Sequence, residues 1–99
     1  MSEDKKEEKT PEEILSKFEE RGEKYVYKLK KPVSHGSEEI TEIEMQEPLV
    51  RHIMDMPLNP KMGDMVKVIS KMSAQPISVI GSLKQKDFMT LVDFYGAFS

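Results

Sequence analysis

The stretch ITEIEMQEPLVRHIMDM, residues 40–56, changes its hydrophobic period in the middle and thereby decides the fold. Up to Met45, apolar and polar residues alternate in twos, which is typical of a strand with one buried face. After Pro48, apolar residues recur in threes and fours, as on an amphipathic helix. Proline lacks the amide that a continuing strand would use, yet its fixed φ suits a first helical turn. We therefore predict a strand that ends where a helix over residues 48–56 begins.

A second strand is predicted just upstream, at residues 25–33. Tyr25, Tyr27 and Leu29 alternate there with Val26, Lys28 and Lys30. The polar segment of residues 34–39 contains a glycine, and two alternating segments joined by such a turn predict a β-hairpin. The first strand carries lysines and the second carries glutamates, so cross-strand ion pairs of about 0.2 to 1 kcal/mol each would favour this register.

The downstream sequence predicts short helices. Residues 61–73 place apolar side chains at spacings of three and four on one face, a short segment follows Pro76, and a last helix begins at about Gln85. The predicted fold class is α+β. It is a small single domain with an N-terminal β-hairpin followed by a bundle of short helices, and it carries a charged flexible N-terminal tail.

Residues 1–24 are predicted to be this tail, and residues 25–99 the folded domain. Residues 1–9 are charged and of low complexity, so we expect them to be disordered. Thr10 to Glu13 reads TPEE, which combines a threonine cap, a proline in the first turn and a glutamate three residues after the cap. This motif predicts a possible short helix over residues 11–21 that ends before Gly22.

Composition excludes several classes of function. The 99 residues carry a net charge of -3, and residues 25–99 hold nine acidic and nine basic side chains. Because no basic stripe is present, a nucleic-acid partner is not expected. The mixed-charge start and the lack of a long apolar segment predict a cytosolic protein without a membrane partner. Zero cysteines exclude disulfides and thiolate chemistry.

Side chains that could carry catalysis are few and scattered. His35 falls in the hairpin turn and His52 on the surface of the predicted helix, without a metal-ligand spacing between them. Asp64 and Asp87 lie near helix starts, where capping is the expected role. The sequence therefore predicts no catalytic residue, no metal site and no cofactor. An enzyme or a metal-dependent regulator would require His35 and His52 to lie close together with shared carboxylates.

Methionine is the unusual part of the apolar composition. Six of the eight methionines lie between residues 45 and 72. Methionine is flexible and polarisable, so a methionine-rich surface can repack against partners of different sequence. A chain of this length has a thin core, and we expect more apolar surface than that core can hide. The surplus would serve self-association or a helical partner.

The order of these segments resembles the tail assembly chaperone family of contractile-tailed phages such as Mu and of related prophages. Three short pieces carry the resemblance: a strand ending in Leu-x-x-Pro-Val, a glycine turn followed by a strand ending in Glu-Pro, and a Leu-x-x-x-Asp-x-x-x-Leu helix near the end. The matching residues are Leu29, Pro32 and Val33, then Gly36, Ile40, Ile43, Met45, Glu47 and Pro48, and finally Leu83, Asp87 and Leu91.

The resemblance implies a non-enzymatic protein of the bacterial host cytoplasm that binds the helical tape measure protein. It would keep that protein soluble until tail tube subunits polymerise around it, and contact with the tail tube protein is also possible. A methionine-rich groove would cover the apolar stripes of the tape measure helix. We predict a mixed set of core and partner-binding residues: Met62, Met65, Ile69, Met72, Phe88, Leu91, Val92 and Tyr95.

Two other functions remain open from the sequence. The chain could be a structural or oligomeric tail component that is retained in the particle and pairs its hairpin edge with a neighbouring strand. It could also be another small helical protein-binding module.

Overall fold

A three-stranded antiparallel sheet followed by helices forms the domain, in a computed structural model that describes residues 10–98. The expected disorder of residues 1–9 lies outside these described residues. The elements are α1 (Pro11–Leu15), β1 (Glu19–Arg21), β2 (Lys24–His35), β3 (Glu38–Met45), α2 (Val50–Ile53), α3 (Met62–Ser73), α4 (Ile77–Gly81) and α5 (Gln85–Ala97). The predicted α+β class, a hairpin followed by short helices, is confirmed.

Two tight turns connect the strands in the order β1-β2-β3. Gly22 and Glu23 join β1 to β2, and Gly36 and Ser37 join β2 to β3. Both glycines have a φ of 63°, whereas the residues after them do not have positive φ. A left-handed first position followed by an ordinary second one is the pattern of a type II′ turn, which suits the twist of antiparallel strands.

The predicted helix over residues 11–21 is wrong beyond its first turn. Thr10 and Glu13 do form the expected capping box, but α1 ends at Leu15. Residues 19–21 instead pair with residues 24–26 of β2 as an antiparallel strand. The apolar stripe of the predicted helix was narrow, and a helix that short gains little without tertiary contacts. Strand pairing in this segment prevails because it leaves Phe18 inserted into the core, where it is 8% exposed.

A bulge of several residues interrupts the pairing of β2 with β3. Lys28 pairs with Glu42 and Val33 with Ile40, so residues 29–32 of β2 lie opposite Thr41 alone. Pro32 is accommodated here because a bulge does not require its missing amide. The bulge also turns backbone amides of β2 away from the ladder, and these amides find an acceptor on α5.

The expected cross-strand ion pairing occurs with a different cation. Arg21 of β1 contacts the Glu42 carboxylate at 3.0 Å and the Glu19 carboxylate at 3.0 Å. Lys28 lies opposite Glu42 in the register. All these side chains are exposed or half-buried, so water and salt screen the ion pairs and each pair contributes little to stability. The hydrogen bond from Arg21 lowers the pKa of Glu19, and the positive charge of Arg21 lowers it further.

The core lies between the inner face of the sheet and the helices. α1 packs on α5, and α3 packs on α4, α5 and β3. Aromatic rings join the N-terminal segment to this core, since Phe18 lies 5.4 Å from Tyr27 and 4.7 Å from Phe94 between ring centroids. The buried cluster consists of Ile14, Phe18, Tyr27, Leu29, Val33, Ile43, Met45, Val68, Ile69, Met72, Ile80, Phe88, Leu91 and Phe94.

The junction after β3 is less abrupt than the sequence predicts. β3 ends at Met45, and the Gln46 amide then donates to the Met72 carbonyl of α3 at 3.2 Å. The predicted helix over residues 48–56 is shorter, because Leu49 is the cap and α2 ends at Ile53. Pro48 therefore precedes the helix instead of forming its first turn. The chain leaves the sheet edge and docks on α3 before it turns.

Candidate functional site

An open apolar groove of about 280 Å³ lies where α3, α4 and α5 meet. α3 contributes two residues from its first turns, α4 and the turn after it contribute three, and α5 contributes three. The lining residues are Met62, Val66, Ile80, Gly81, Leu83, Gln85, Phe88 and Met89. Most of these side chains are apolar, so the groove offers contact area to an apolar partner and few hydrogen-bonding groups.

The structure divides the predicted partner-binding set by burial. Ile69, Met72 and Leu91 are at most 2% exposed and belong to the core. Met62 is 56% exposed and lies at the groove, and Phe88 is buried at its wall. The remaining predicted residues are half-buried and pack against the core: Met65, Val92 and Tyr95.

Six groove residues were missing from the predicted set, and three of them are half-buried apolar side chains. Val66 and Met89 are half-buried on α3 and α5, and Leu83 is half-buried between α4 and α5. Val66 was on the predicted apolar face of α3, and its spacing of four from Met62 places both side chains on the same flank. Met89 follows Gln85 by four residues in the same way. The sequence contained these spacings but not the position of the two helices relative to each other.

A buried carboxylate joins α5 to the bulge of β2. Asp87 is 1% exposed, and its Oδ1 accepts from the Tyr27 hydroxyl at 2.7 Å. The backbone amides of Lys30 and Lys31 also donate to its carboxylate, at 3.1 and 3.2 Å. The expected role of Asp87 as a helix cap is therefore wrong. Burial raises the pKa of the Tyr27 hydroxyl, and the hydrogen bond to Asp87 raises it further.

This contact explains two of the three short sequence pieces. The Leu-x-x-Pro-Val piece forms the bulge, with Leu29 and Val33 buried on either side of the two amides that Asp87 accepts. The Leu-x-x-x-Asp-x-x-x-Leu piece supplies Asp87 and the buried Leu91. Residues 30 and 31 take part through their backbone, so their lysine side chains are not required for it. These pieces therefore hold the sheet against α5.

His52 is buried and caps α2, which corrects its expected place on a helix surface. It is 5% exposed, and its Nδ1 accepts from the Leu49 amide at 2.9 Å. Nδ1 can accept only in an imidazole that is not protonated there. Burial lowers the pKa of His52, and the positive charges of Arg51 and Lys71 lower it further. The neutral form is thus the one that the fold stabilises.

We expect the domain to lose stability as pH falls below about 6.5, where the unfolded chain protonates His52 but the folded chain does not. Above that pH the contribution of His52 is complete. The measurement is the free energy of unfolding in urea at pH 7.5 and 5.5. His52→Gln keeps an acceptor three residues after the cap but does not titrate. Equal pH dependence in both proteins would contradict this role of His52.

Neither a metal site nor a membrane span is found in residues 10–98. Within that range, no group of three or more His, Cys, Asp or Glu side chains is placed to hold a metal ion. The helices of the same residues lack the length and apolar composition that a membrane crossing requires.

An α+β domain with an open apolar groove is typical of domains that contact other proteins. Residues 26–99 match the model of the family described as phage tail assembly chaperone proteins, E, or 41 or 14. The chain therefore belongs to the phage tail assembly chaperone family. This family implies a non-enzymatic role in tail assembly and contact with tail proteins. Searches of curated proteins and of solved structures find no match to this chain.

Proposed function

We propose that this chaperone binds the helical tape measure protein in the α3–α5 groove and keeps it soluble until the tail tube polymerises. The observation that carries the proposal is the groove itself, an open apolar surface in a member of a tail assembly chaperone family. Its volume of about 280 Å³ is at the small end for a ligand pocket, and it suits a few apolar side chains of a helix.

The chemistry of the groove supports a helical partner of variable sequence. Met62 of α3 and Met89 of α5 both line the groove, and methionine adapts its rotamers to the side chain it meets. Leu83 and Phe88 add less flexible apolar side chains to the lining. A long helix with a repeated apolar stripe would offer many equivalent sites to such a groove. Weak individual contacts would then permit release when tube subunits arrive.

Three further residues of the predicted set lie near the groove in sequence, on the helices that line it. Val92 follows Phe88 by four residues and Met89 by three, so helix geometry places it one turn further along the same side of α5. Tyr95 continues this direction, and Met65 lies one turn from Met62 on α3. We propose these half-buried side chains as an extension of the groove, acting in the cytoplasm of the bacterial host. Contact with the tail tube protein would follow at release.

Met62→Asp is expected to weaken capture of the tape measure protein about tenfold or more, since it places a charge on the groove wall. The measurement is the dissociation constant of the co-purified complex. Leu58→Asp is the control, because Leu58 is 99% exposed in the loop after α2 and lies neither in the groove nor on a helix that lines it. Equal weakening by both substitutions would contradict the groove as the binding site.

A second candidate function is a tail component that remains in the particle. One observation favours it: β3 is an edge strand of the sheet. Among residues 10–98, no other strand pairs with its outer edge. However, Glu38, Glu39, Glu42 and Glu44 run along β3, and like charges oppose pairing with a second copy of it. Mass spectrometry of purified particles distinguishes the two, because a retained component is present and a chaperone is absent.

A further inference from the structure

A second apolar surface is found on α2, away from the groove. Val50 and Met54 are 76% and 69% exposed, and their spacing of four places them side by side. Leu49 at the start of α2 is 42% exposed, and Leu58 in the following loop is 99% exposed. We call Leu49, Val50 and Met54 the α2 patch. Monomeric proteins rarely leave several large apolar side chains together in water.

α2, which carries the patch, and the groove lie on opposite flanks of α3. α2 faces a cleft that it shares with Asp64, Lys67, Val68 and Lys71 of α3. The groove uses Met62 and Val66. At about 100° per residue, these two sets of positions point in roughly opposite directions from the helix axis. One surface can therefore be occupied while the other is free.

The α2 patch is flanked by one positive and one negative side chain, so a second copy of the chain could offer each of them an opposite charge. Arg51 and Asp55 are both exposed and are also four residues apart, directly beside the apolar pair Val50 and Met54. Helical geometry continues to Met54. When two copies of this turn pack antiparallel about a two-fold axis, Val50 meets Met54 of the other copy, and Arg51 meets its Asp55. The same surface thus matches itself in both shape and charge.

We propose that the α2 patch is a self-association surface that joins two copies of this chain as a symmetric dimer. The interface is small, so the dimer is weak, with a dissociation constant of about 10 μM. This inference does not rest on the proposed function, since it concerns the chain alone. Its consequence for a long partner is that neighbouring copies, each using its groove, would reinforce one another along the helix.

Sedimentation equilibrium of the purified full chain tests the proposal. The wild type should dimerise, and Met54→Asp should weaken the dimer at least tenfold while the thermal midpoint stays unchanged, because Met54 is exposed. Ile77→Asp, at another exposed apolar position, should leave the dimer intact. A wild type that stays monomeric up to about 100 μM would overturn the proposal. So would a dimer that is insensitive to Met54→Asp, or one equally sensitive to Ile77→Asp.

A charge exchange tests the arrangement itself. Arg51→Asp and Asp55→Arg should each weaken the dimer about fivefold, since a two-fold axis repeats every contact. The double variant should restore dimerisation towards the wild-type value. Lys71→Ala controls for the intramolecular contact between Lys71 and Asp55 at 3.5 Å, and it should not change the dimer. A double variant weaker than both single variants would contradict the antiparallel pairing.

Discussion

Replacing Asp87 with alanine is expected to lower the free energy of unfolding by about 3 kcal/mol. The substitution removes the acceptor for three donors, the Tyr27 hydroxyl and the amides of Lys30 and Lys31. Asp87 is 1% exposed, so water cannot easily reach these three donors and replace the lost acceptor. The loss is the cost of burying donors that no longer have a partner. It also frees the bulge of β2 from α5.

Urea denaturation measures this loss as a lower midpoint at an unchanged slope. Tyr27→Phe is the matched control, because it removes one donor and leaves both amide contacts to Asp87. It should cost about 1 kcal/mol. If Asp87→Ala costs no more than Tyr27→Phe, the carboxylate does not hold the bulge as described.

Phe18→Ala is expected to cost about 3 kcal/mol as well, because it opens a cavity between Tyr27 and Phe94. This result would establish that the segment before β2 belongs to the folded domain. The neighbouring Leu15 is only half-buried, and Leu15→Ala should cost clearly less. Thermal unfolding of both variants gives the comparison. A loss below about 1 kcal/mol for Phe18→Ala would mean that residues 10–21 dock only weakly.

The sequence predicted those elements whose periodicity is strong. α3 and α5 carry apolar residues at helical spacing over twelve and thirteen residues, and they were found near their predicted bounds. β2 and β3 alternate clearly. β1 reads Glu-Glu-Arg and has no apolar alternation. It exists because Gly22 lets the chain turn back and because Phe18 gains a place in the core, and neither effect is visible in a short polar sequence.

The partner-binding residues were predicted as a mixed set of core and surface positions. Helical spacing identifies the apolar face of a helix, but it does not show which part of that face other elements bury. Ile69 and Met62 share that face of α3, yet one is 0% and the other 56% exposed. The difference arises from tertiary packing, since the sheet and α5 cover the middle of α3 and leave its first turn open. The role of Asp87 was missed for a similar reason: its partners lie nearly sixty residues away.

The short pieces that indicated the family concern the fold more than the binding surface. Leu29, Val33 and Asp87 hold the sheet against α5. Among the matching residues of the three pieces, Leu83 also lines the groove. The matching residues therefore concern the fold, and they say little about the groove in which we propose that the partner binds.

Solubility of the tape measure protein, co-expressed with and without this chain, is the most direct test of the central claim. We predict that the tape measure protein is soluble and co-purifies with the wild-type chain. It should be insoluble when expressed alone, and it should be insoluble with Met62→Asp. Co-expression with Leu58→Asp should match the wild type. A tape measure protein that stays insoluble and unbound beside the wild-type chain would contradict the account.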